Sequence, residues 1–230
     1  VLESALAGQS GGAAVHIVLF GDSHAAQWFP AFSAAAANND WLLEVHVKRG
    51  CPTAEISLAT FDAGDCADWR ANVAARLEQV QPDLIVMTSY RYKPGAQDSG
   101  ADSDQLWKRG LDTTLATFVP LAGEVLILGD TPTPNDDVIP CLGANPTNAS
   151  RCVRARSDAV KVGRLTVESQ LAEQYDVLFE PSSEWLCTES KCPVIIGDVL
   201  VYRDHNHITT TASAYLSPFV EATLRSALNR

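Results

Sequence analysis

Two short polar segments, far apart in the chain, could together form a nucleophilic relay. Gly21-Asp22-Ser23-His24 directly follows a continuous apolar run, and Asp204-His205-Asn206-His207 lies close to the C-terminal end. Asp204 and His207 are spaced so that on a turn the carboxylate can hold the imidazole Nδ1–H. The other ring nitrogen is then free to accept a proton from a serine hydroxyl. We therefore expect Ser23 to be a nucleophile, with His207 as its base and Asp204 as the orienting acid.

Each segment also has a plainer interpretation. Ser23 or Asp22 could simply cap a helix, and Asp204 is an ordinary residue type at a helix start. A metal site made of Asp204, His205 and His207 would lack further spaced ligands. The two segments together, a serine turn after the first strand and a D-x-x-H before the last helix, nevertheless indicate a nucleophilic relay more specifically than either segment alone.

Apolar runs alternate with helical patterns along the chain, which predicts a parallel sheet covered on both faces. The predicted strands span 15–20, 41–48, 83–88, 124–128 and 177–180, and the predicted helices span 25–37, 67–79, 105–118, 155–173 and 209–228. We also expect an irregular loop over 131–151 and a hairpin over 195–202. The fold class is α/β, a three-layer α/β/α sandwich of the flavodoxin-like type.

The predicted sheet places the serine turn where such folds bind ligands, beyond the carboxyl ends of the strands. Gly21 allows a sharp exit from the first strand. Ser23 then lies at a helix N-terminus, where free N–H groups favour a developing oxyanion. We expect residues 15–230 to form one domain and the Gly- and Ser-rich residues 1–14 to be a linker.

Charge and cysteine content limit the partners and the compartment. The net charge of −11 disfavours nucleic acid, and the longest apolar runs are too short to span a bilayer. The even number of cysteines favours disulfides, although 15 connectivities are possible. Disulfides persist in oxidising compartments, so we expect an extracytoplasmic domain whose export element has been removed or lies elsewhere in the parent protein. Pairing neighbours in the chain gives Cys51–Cys66, Cys141–Cys152 and Cys187–Cys192.

The two polar segments resemble a known family. Gly21–His24 with the following Ala25–Trp28 resembles the first block of the SGNH (GDSL-like) hydrolases, and Asp204–Thr209 resembles their last block. The chain is most similar to the SGNH domains fused behind membrane acyltransferase-3 proteins, which O-acetylate bacterial envelope glycans and glycolipids. That similarity extends to Gly50-Cys51-Pro52, to Cys187 and Cys192, and to Val201-Tyr202-Arg203-Asp204.

The resemblance implies the SGNH hydrolase fold and a Ser23–His207–Asp204 triad. The oxyanion hole would use the N–H groups of Ser23 and Gly50. The family's G-x-N-D third block is missing, because Ser89-Tyr90-Arg91-Tyr92 stands in its place. Ser89, Arg91 or a backbone N–H would then replace the absent Asn donor, whose loss can cost about 10²–10³ in rate. Tyr90 and Arg91 are candidate substrate-binding residues in this segment.

The implied function is that of an extracytoplasmic serine O-acyltransferase, in particular an O-acetyltransferase, or an esterase, acting on an envelope saccharide or glycolipid through an acyl-enzyme. It requires no cofactor or metal. The partners would be an acyl donor, the envelope acceptor and a membrane acyltransferase-3 domain in the same parent chain, which would tether the domain to the membrane. The first alternative is a catalytically weak or inactive carbohydrate-binding accessory domain. The second, a receiver or nucleotide-binding protein, predicts acidic clusters or a phosphate loop that residues 21–24 lack.

Overall fold

A central sheet flanked by helices organises the chain. The computed structural model describes residues 3–7, 15–58, 63–92, 103–134 and 138–230. The strands, in chain order, are β1 (Glu3–Ala7), β2 (His16–Gly21), β3 (Leu42–Val47), β4 (Leu84–Thr88), β5 (Glu124–Gly129), β6 (Arg154–Ala155), β7 (Leu178–Pro181), β8 (Lys191–Cys192), β9 (Ile195–Ile196) and β10 (Val199–Leu200).

The strand order of the main sheet is β1-β3-β2-β4-β5-β7. The strands from β3 to β7 run parallel, whereas β1 pairs antiparallel with β3 at the edge. The chain proceeds from β2 to β3 on one side and then crosses to β4 on the other. The strand order therefore reverses at β2, which is the position where open parallel sheets form a crevice beyond their carboxyl ends.

Helices cover both faces of the sheet. They are α1 (Ser23–Ala26), α2 (Phe29–Asn39), α3 (Ala63–Val80), α4 (Ser103–Phe118), α5 (Val138–Ala144), α6 (Arg156–Ala159), α7 (Val162–Tyr175), α8 (Ser183–Leu186), α9 (Thr210–Tyr215) and α10 (Ser217–Leu228), with 3₁₀ turns at Val119–Leu121 and Ala149–Cys152. None of the helices in the described ranges is long and apolar enough to cross a membrane.

Alternate side chains of each strand enter two separate cores, one on each face of the sheet. Ile17 and Leu19 of β2 point into the core beneath α2 and α10. Val18 and Phe20 point into the core beneath α3, α4 and α7. Both cores are apolar, so the two faces are buried to a similar degree. The predicted α/β/α sandwich is confirmed.

Three predicted helices are interrupted. The predicted helix 25–37 divides before α2 and 209–228 divides before α10, because Pro30 and Pro218 each occupy the first turn of a new helix, where proline is tolerated. The predicted helix 155–173 divides into α6 and α7 at Val160, whose backbone is extended. Ala159 and Val160 pack there against Cys192, so a tertiary contact overrides the helical pattern.

The N-terminal prediction differs from the structure over five residues. Glu3–Ala7, expected to be part of a linker, forms β1 and pairs with β3 from Glu3↔Val47 to Ala7↔Leu43. An edge strand of this kind is held by backbone hydrogen bonds, which leave little trace in the side-chain pattern. The rest of the predicted linker, residues 1, 2 and 8–14, lies outside the described residues.

The predicted hairpin and disulfides are confirmed. Ile195–Ile196 and Val199–Leu200 pair antiparallel around Gly197, whose φ is +61°. The predicted loop 131–151 is less irregular than expected, because it contains α5 and most of a 3₁₀ turn. The structure forms the disulfides Cys51–Cys66, Cys141–Cys152 and Cys187–Cys192.

Candidate active site

The serine turn connects β2 to α1 at the carboxyl edge of the sheet. A Cβ atom on Gly21 would lie 1.8 Å from the Thr88 carbonyl oxygen of β4, so only glycine fits at the end of this strand. Asp22 caps α1, because its Oδ1 accepts the His24 N–H at 2.7 Å. The strand and the cap together place Ser23 at the first position of the helix, where its side chain is half-buried.

The histidine loop is a tight polar turn closed by its own backbone. Tyr202 and Ile208 form an isolated bridge, and the Arg203 N–H donates to the His207 carbonyl at 3.0 Å. Inside the turn, Asp204 Oδ1 accepts the N–H groups of Asn206 at 2.9 Å and His207 at 2.7 Å. An Asp that accepts local N–H groups in this way fixes the turn and its own carboxylate.

The serine turn and the histidine loop meet at the sheet edge. His207 Nε2 lies 2.9 Å from Ser23 Oγ, and His207 Nδ1 lies 2.9 Å from Asp204 Oδ2 and 3.2 Å from Oδ1. Gln27, one turn further along the chain, joins the two segments, since its Oε1 accepts the Ile208 N–H at 2.9 Å. The three residues predicted as a triad therefore lie in one line of hydrogen bonds.

Charges around the histidine loop favour an ionised Asp204 and a neutral His207. Burial would raise the pKa of Asp204, but the N–H groups of His207 and Asn206 and the His207 ring outweigh it and lower that pKa. Burial lowers the pKa of His207, and the charge of His24 lowers it further, against the opposing effect of Asp204. A neutral imidazole beside a carboxylate is the form that can accept a serine proton.

Asp22 is a fully buried carboxylate beneath the serine turn. It accepts the His24 N–H and, at 3.0 Å, the Tyr90 N–H that follows β4, and the Tyr92 hydroxyl also donates to it. Burial raises the pKa of Asp22 to about 6, although His24 and these hydrogen bonds act in the opposite direction. Asp22 thus connects α1 to the end of β4. The negative charge that it carries when ionised is only partly compensated by its partners.

A second histidine–carboxylate pair lies next to the first. His24 Nδ1 is 2.6 Å from Asp130 Oδ1, just after β5, and Asp130 Oδ2 accepts the Arg91 N–H at 3.0 Å. The His24 ring centroid lies 4.8 Å from that of His207 and 4.7 Å from that of Tyr90. Burial would lower the pKa of His24, but Asp130 outweighs it, so this pKa is raised.

Sequence reasoning identified Ser23, Asp204 and His207 but missed their supports. Asp22 was treated only as a possible helix cap, and no part in the site was assigned to His24, Gln27 or Asp130. One signal was present for Asp130: it follows a predicted strand, and the carboxyl ends of parallel strands meet at one edge. Its partner could not be identified, because the order of the strands was not known.

The other predicted site residues lie around the same edge. Gly50, buried in the turn after β3, has a φ of +78°, a conformation that favours glycine. The Ser89 hydroxyl is bonded to that of Thr53 at 2.9 Å. The part that Gly50 or Ser89 plays in an oxyanion hole stays a prediction.

Tyr90 and Arg91 present different groups to the site. The Tyr90 ring packs on His24 and lies 5.1 Å from the Tyr92 ring. Arg91 offers its backbone to Asp130, while its guanidinium group bonds the Thr133 hydroxyl and lines a cavity of about 350 Å³ beside Tyr92 and α7. Substrate binding by Tyr90 and Arg91 stays a prediction.

A metal centre was a further interpretation of Asp204, His205 and His207. Over the ranges that the structure describes, no group of three or more His, Cys, Asp or Glu side chains is arranged to hold a metal ion. His207 faces Ser23 and Asp204.

Comparisons with known proteins agree with this fold. The periplasmic domain of a Salmonella ser. Paratyphi A lipopolysaccharide acetyltransferase superimposes with a TM-score of 0.76 at 16% identity, over 94% of this chain and 85% of that one. An aryl esterase of M. smegmatis gives 0.58 at 16% identity, over 93% and 100% of the two chains. A carbohydrate acetylesterase from Sinorhizobium meliloti gives 0.56 at 12% identity, over 92% and 99%.

The sequence comparison assigns the family. No curated protein sequence matches the chain. The family model described as the SGNH domain fused to AT3 domains, in contrast, matches residues 3–222, which is nearly the whole chain. The resemblance inferred from the two polar segments is confirmed, and so is the SGNH hydrolase fold. The chain belongs to the family of SGNH domains that are fused to AT3 domains.

Proposed function

We propose that this domain is an extracytoplasmic serine O-acyltransferase or esterase that acts on a cell-envelope glycan or glycolipid, with acetyl as the acyl group. The observation that carries the proposal is the line of hydrogen bonds from Asp204 through His207 to Ser23, with 2.9 Å between His207 Nε2 and Ser23 Oγ. This distance lies within the range in which a base can take a proton directly.

In the first step, His207 Nε2 removes the Ser23 proton while Oγ attacks the carbonyl carbon of the acyl donor. The carbonyl oxygen becomes an oxyanion, which the Ser23 N–H at the start of α1 and the Gly50 N–H stabilise. The intermediate collapses when the bond to the leaving oxygen breaks and protonated His207 gives that oxygen its proton. Ser23 then carries the acyl group as an ester.

In the second step, an acceptor hydroxyl gives its proton to His207 and attacks the acyl carbon. The bond to Ser23 Oγ breaks, and His207 returns the proton to the serine. A sugar hydroxyl as acceptor makes the domain a transferase, whereas water makes it an esterase. Asp204 stabilises the imidazolium in both steps and keeps the ring oriented.

The envelope setting is supported by three features. Three disulfides are typical of an oxidising compartment. The family is fused to AT3 domains, which suggests a membrane acyltransferase as the source of the acyl group. The Salmonella relative is described as a periplasmic domain of a lipopolysaccharide acetyltransferase. The acceptor proposed here is accordingly a saccharide or glycolipid of the envelope.

A fluorophosphonate probe tests the nucleophile directly. We expect the probe to label the wild-type domain and not Ser23→Ala, and hydrolysis of p-nitrophenyl acetate to fall by about 10³-fold or more in this variant. Ser150→Ala, which removes an exposed hydroxyl on a 3₁₀ turn, is the matched control and should label normally. A wild-type domain that resists labelling and does not turn over the ester would instead support the carbohydrate-binding alternative.

A second measurement separates the two reaction types. The domain is incubated with an acetyl ester donor and an envelope polysaccharide, and the products are analysed by mass spectrometry. Acetylated saccharide in excess of free acetate indicates a transferase, and free acetate alone indicates an esterase.

A further inference from the structure

The pair of His24 and Asp130 lies directly behind the proposed relay and has no part in the two acyl-transfer steps. His24 Nδ1 lies 2.6 Å from Asp130 Oδ1, and the two side chains are only 1% and 7% exposed. On its other side, the His24 ring packs against the ring of His207 with 4.8 Å between the centroids. A buried ionisable pair that contacts a proposed general base needs its own explanation.

Hydrogen bonds join this pair to the serine turn and to the segments that follow β4 and β5. Asp130 accepts the N–H groups of Arg91 at 3.0 Å and Thr131 at 2.8 Å, and so connects the ends of β4 and β5. The backbone N–H of His24 donates to Asp22, which also holds Tyr90. Since His24 directly follows the serine, Asp130 fixes the helix turn on which Ser23 lies.

The second nitrogen of the His24 ring, Nε2, takes no part in the pair with Asp130. In the part of the chain that the structure describes, His24 Nε2 is buried and has no hydrogen-bond partner. Unpaired buried polar atoms are rare in folded proteins, because they lower stability. His16 Nε2 is likewise buried without a hydrogen bond among the described residues, so the case for a role of His24 rests on its packing against His207.

The charges around the two rings favour a charged His24 and a neutral His207. Three carboxylates face His24, namely Asp130, Asp22 and Asp204, while Tyr90 covers its other face. They raise the pKa of His24 against the effect of burial. The groups that face His207 are Asp204, Arg203 and the His24 ring, and the charge on His24 lowers the pKa of His207, in the same direction as burial.

We propose that His24 and Asp130 form a positioning pair for acyl transfer, in which Asp130 holds a charged His24 ring against the face of His207. The packing keeps the His207 imidazole directed at Ser23, and the charge disfavours protonation of that imidazole. The inference rests on the proposed function, because it requires His207 to act as the base. His24 acts through His207 and does not contact the reacting atoms.

The test is the pH dependence of kcat/KM for p-nitrophenyl acetate, measured with the 230-residue domain. His24→Asn keeps a donor for Asp130 but removes the ring and its charge. His207 would then protonate at higher pH, so the ratio of kcat/KM at pH 8 to that at pH 5.5 should exceed the wild-type ratio by about 3- to 10-fold. Asp130→Asn should change the ratio in the same direction by less. KM should stay near the wild-type value.

His46→Gln is the matched control. His46 is another buried histidine bonded to a carboxylate, with 2.7 Å between its Nε2 and Glu44 Oε1 in β3. The His46→Gln variant should lower the melting temperature as much as His24→Asn does, yet leave the ratio of kcat/KM at pH 8 to that at pH 5.5 unchanged. A folded His24→Asn variant with the wild-type ratio would overturn the proposal.

An NMR titration of the wild-type histidine rings covers the case in which the variants do not fold. We expect the His24 ring to stay protonated at a pH where His207 is already neutral. The reverse order would refute the positioning pair. If Ser23→Ala turns over the ester as fast as the wild type, the proposed function itself fails, whatever the two rings do.

Discussion

Two buried clusters in this domain combine histidines with a carboxylate, and they differ in how the negative charge is compensated. Glu44 of β3 has three cationic or potentially cationic partners. Arg76 of α3 donates to it from Nε at 2.9 Å and from Nη2 at 3.1 Å, His46 Nε2 lies 2.7 Å away and His16 Nε2 lies 3.1 Å away. Burial would raise the pKa of Glu44, but Arg76 and His46 outweigh it, so this pKa is lowered.

In the cluster at the serine turn, the deepest carboxylate, Asp22, has one potentially cationic partner, His24, which it shares with Asp130. Asp22 accepts two backbone N–H groups and the Tyr92 hydroxyl, and burial raises its pKa to about 6. The comparison teaches that the same residue types serve different purposes. A carboxylate with several cationic partners stabilises the fold, whereas the less compensated Asp22 lies beneath the turn that carries Ser23.

The largest difference expected between the clusters is in activity. His207→Gln removes the proposed base and should lower kcat/KM for p-nitrophenyl acetate by about 10⁴-fold or more. His46→Gln, in the Glu44 cluster, should leave it within about twofold. Both variants are compared by steady-state kinetics and by melting curves. A similar loss of activity in the two variants would show that the distinction between the clusters is wrong.

The next effect is on stability. Glu44→Gln leaves Arg76 and two histidines without their shared anion and should lower the free energy of unfolding by about 3 kcal/mol at pH 7, with little effect on kcat/KM. Urea denaturation followed by circular dichroism measures this change. Because the pKa of Glu44 is lowered, its contribution is present above the ordinary pKa and is lost as the pH falls below it. If Glu44→Gln lowered the free energy of unfolding equally at acid and neutral pH, this account would be contradicted.

The smallest expected effect is on how stability changes with pH, which for Asp22 has the opposite sign to that for Glu44. The pKa of Asp22 is raised from 3.8 to about 6, so its contribution to stability is fully present below 3.8 and is lost as the pH rises through 6. Relative to Asp22→Asn, the wild type should therefore gain about 2 kcal/mol between pH 6 and pH 4. The Asn side chain keeps an acceptor for the two N–H groups. Urea denaturation of both proteins at several pH values measures this difference. A difference in the free energy of unfolding that does not change with pH would rule out the raised pKa of Asp22.

The sequence predicted the features that local patterns determine. The apolar runs of β2, β4 and β5 identified the buried strands, and the turns at Ser23 and His207 identified the residues that the structure joins by hydrogen bonds. The breaks before α2 and α10 were missed, although Pro30 and Pro218 are local signals for the start of a new helix. Each of these signals lies within a few residues of the feature that it predicts.

The missed features depend on contacts between distant segments. His24 and Asp130 are 106 positions apart and meet only because β2 and β5 both flank β4. The break at Val160 depends on packing against Cys192, and β1 is held by backbone bonds to the edge of β3. In each case the partner is set by strand order or tertiary packing, neither of which is encoded in a short window of sequence.

The direction of β1 determines from which side a preceding domain would approach. Glu3 is paired with Val47, the last residue of β3, so the first described residue lies at the end of the sheet that carries Ser23. A domain joined by a short connection ahead of Glu3 would consequently approach the end of the sheet at which Ser23 lies rather than the opposite end. Under the proposed function, an acyl group delivered from that domain would then have only a short distance to travel to Ser23.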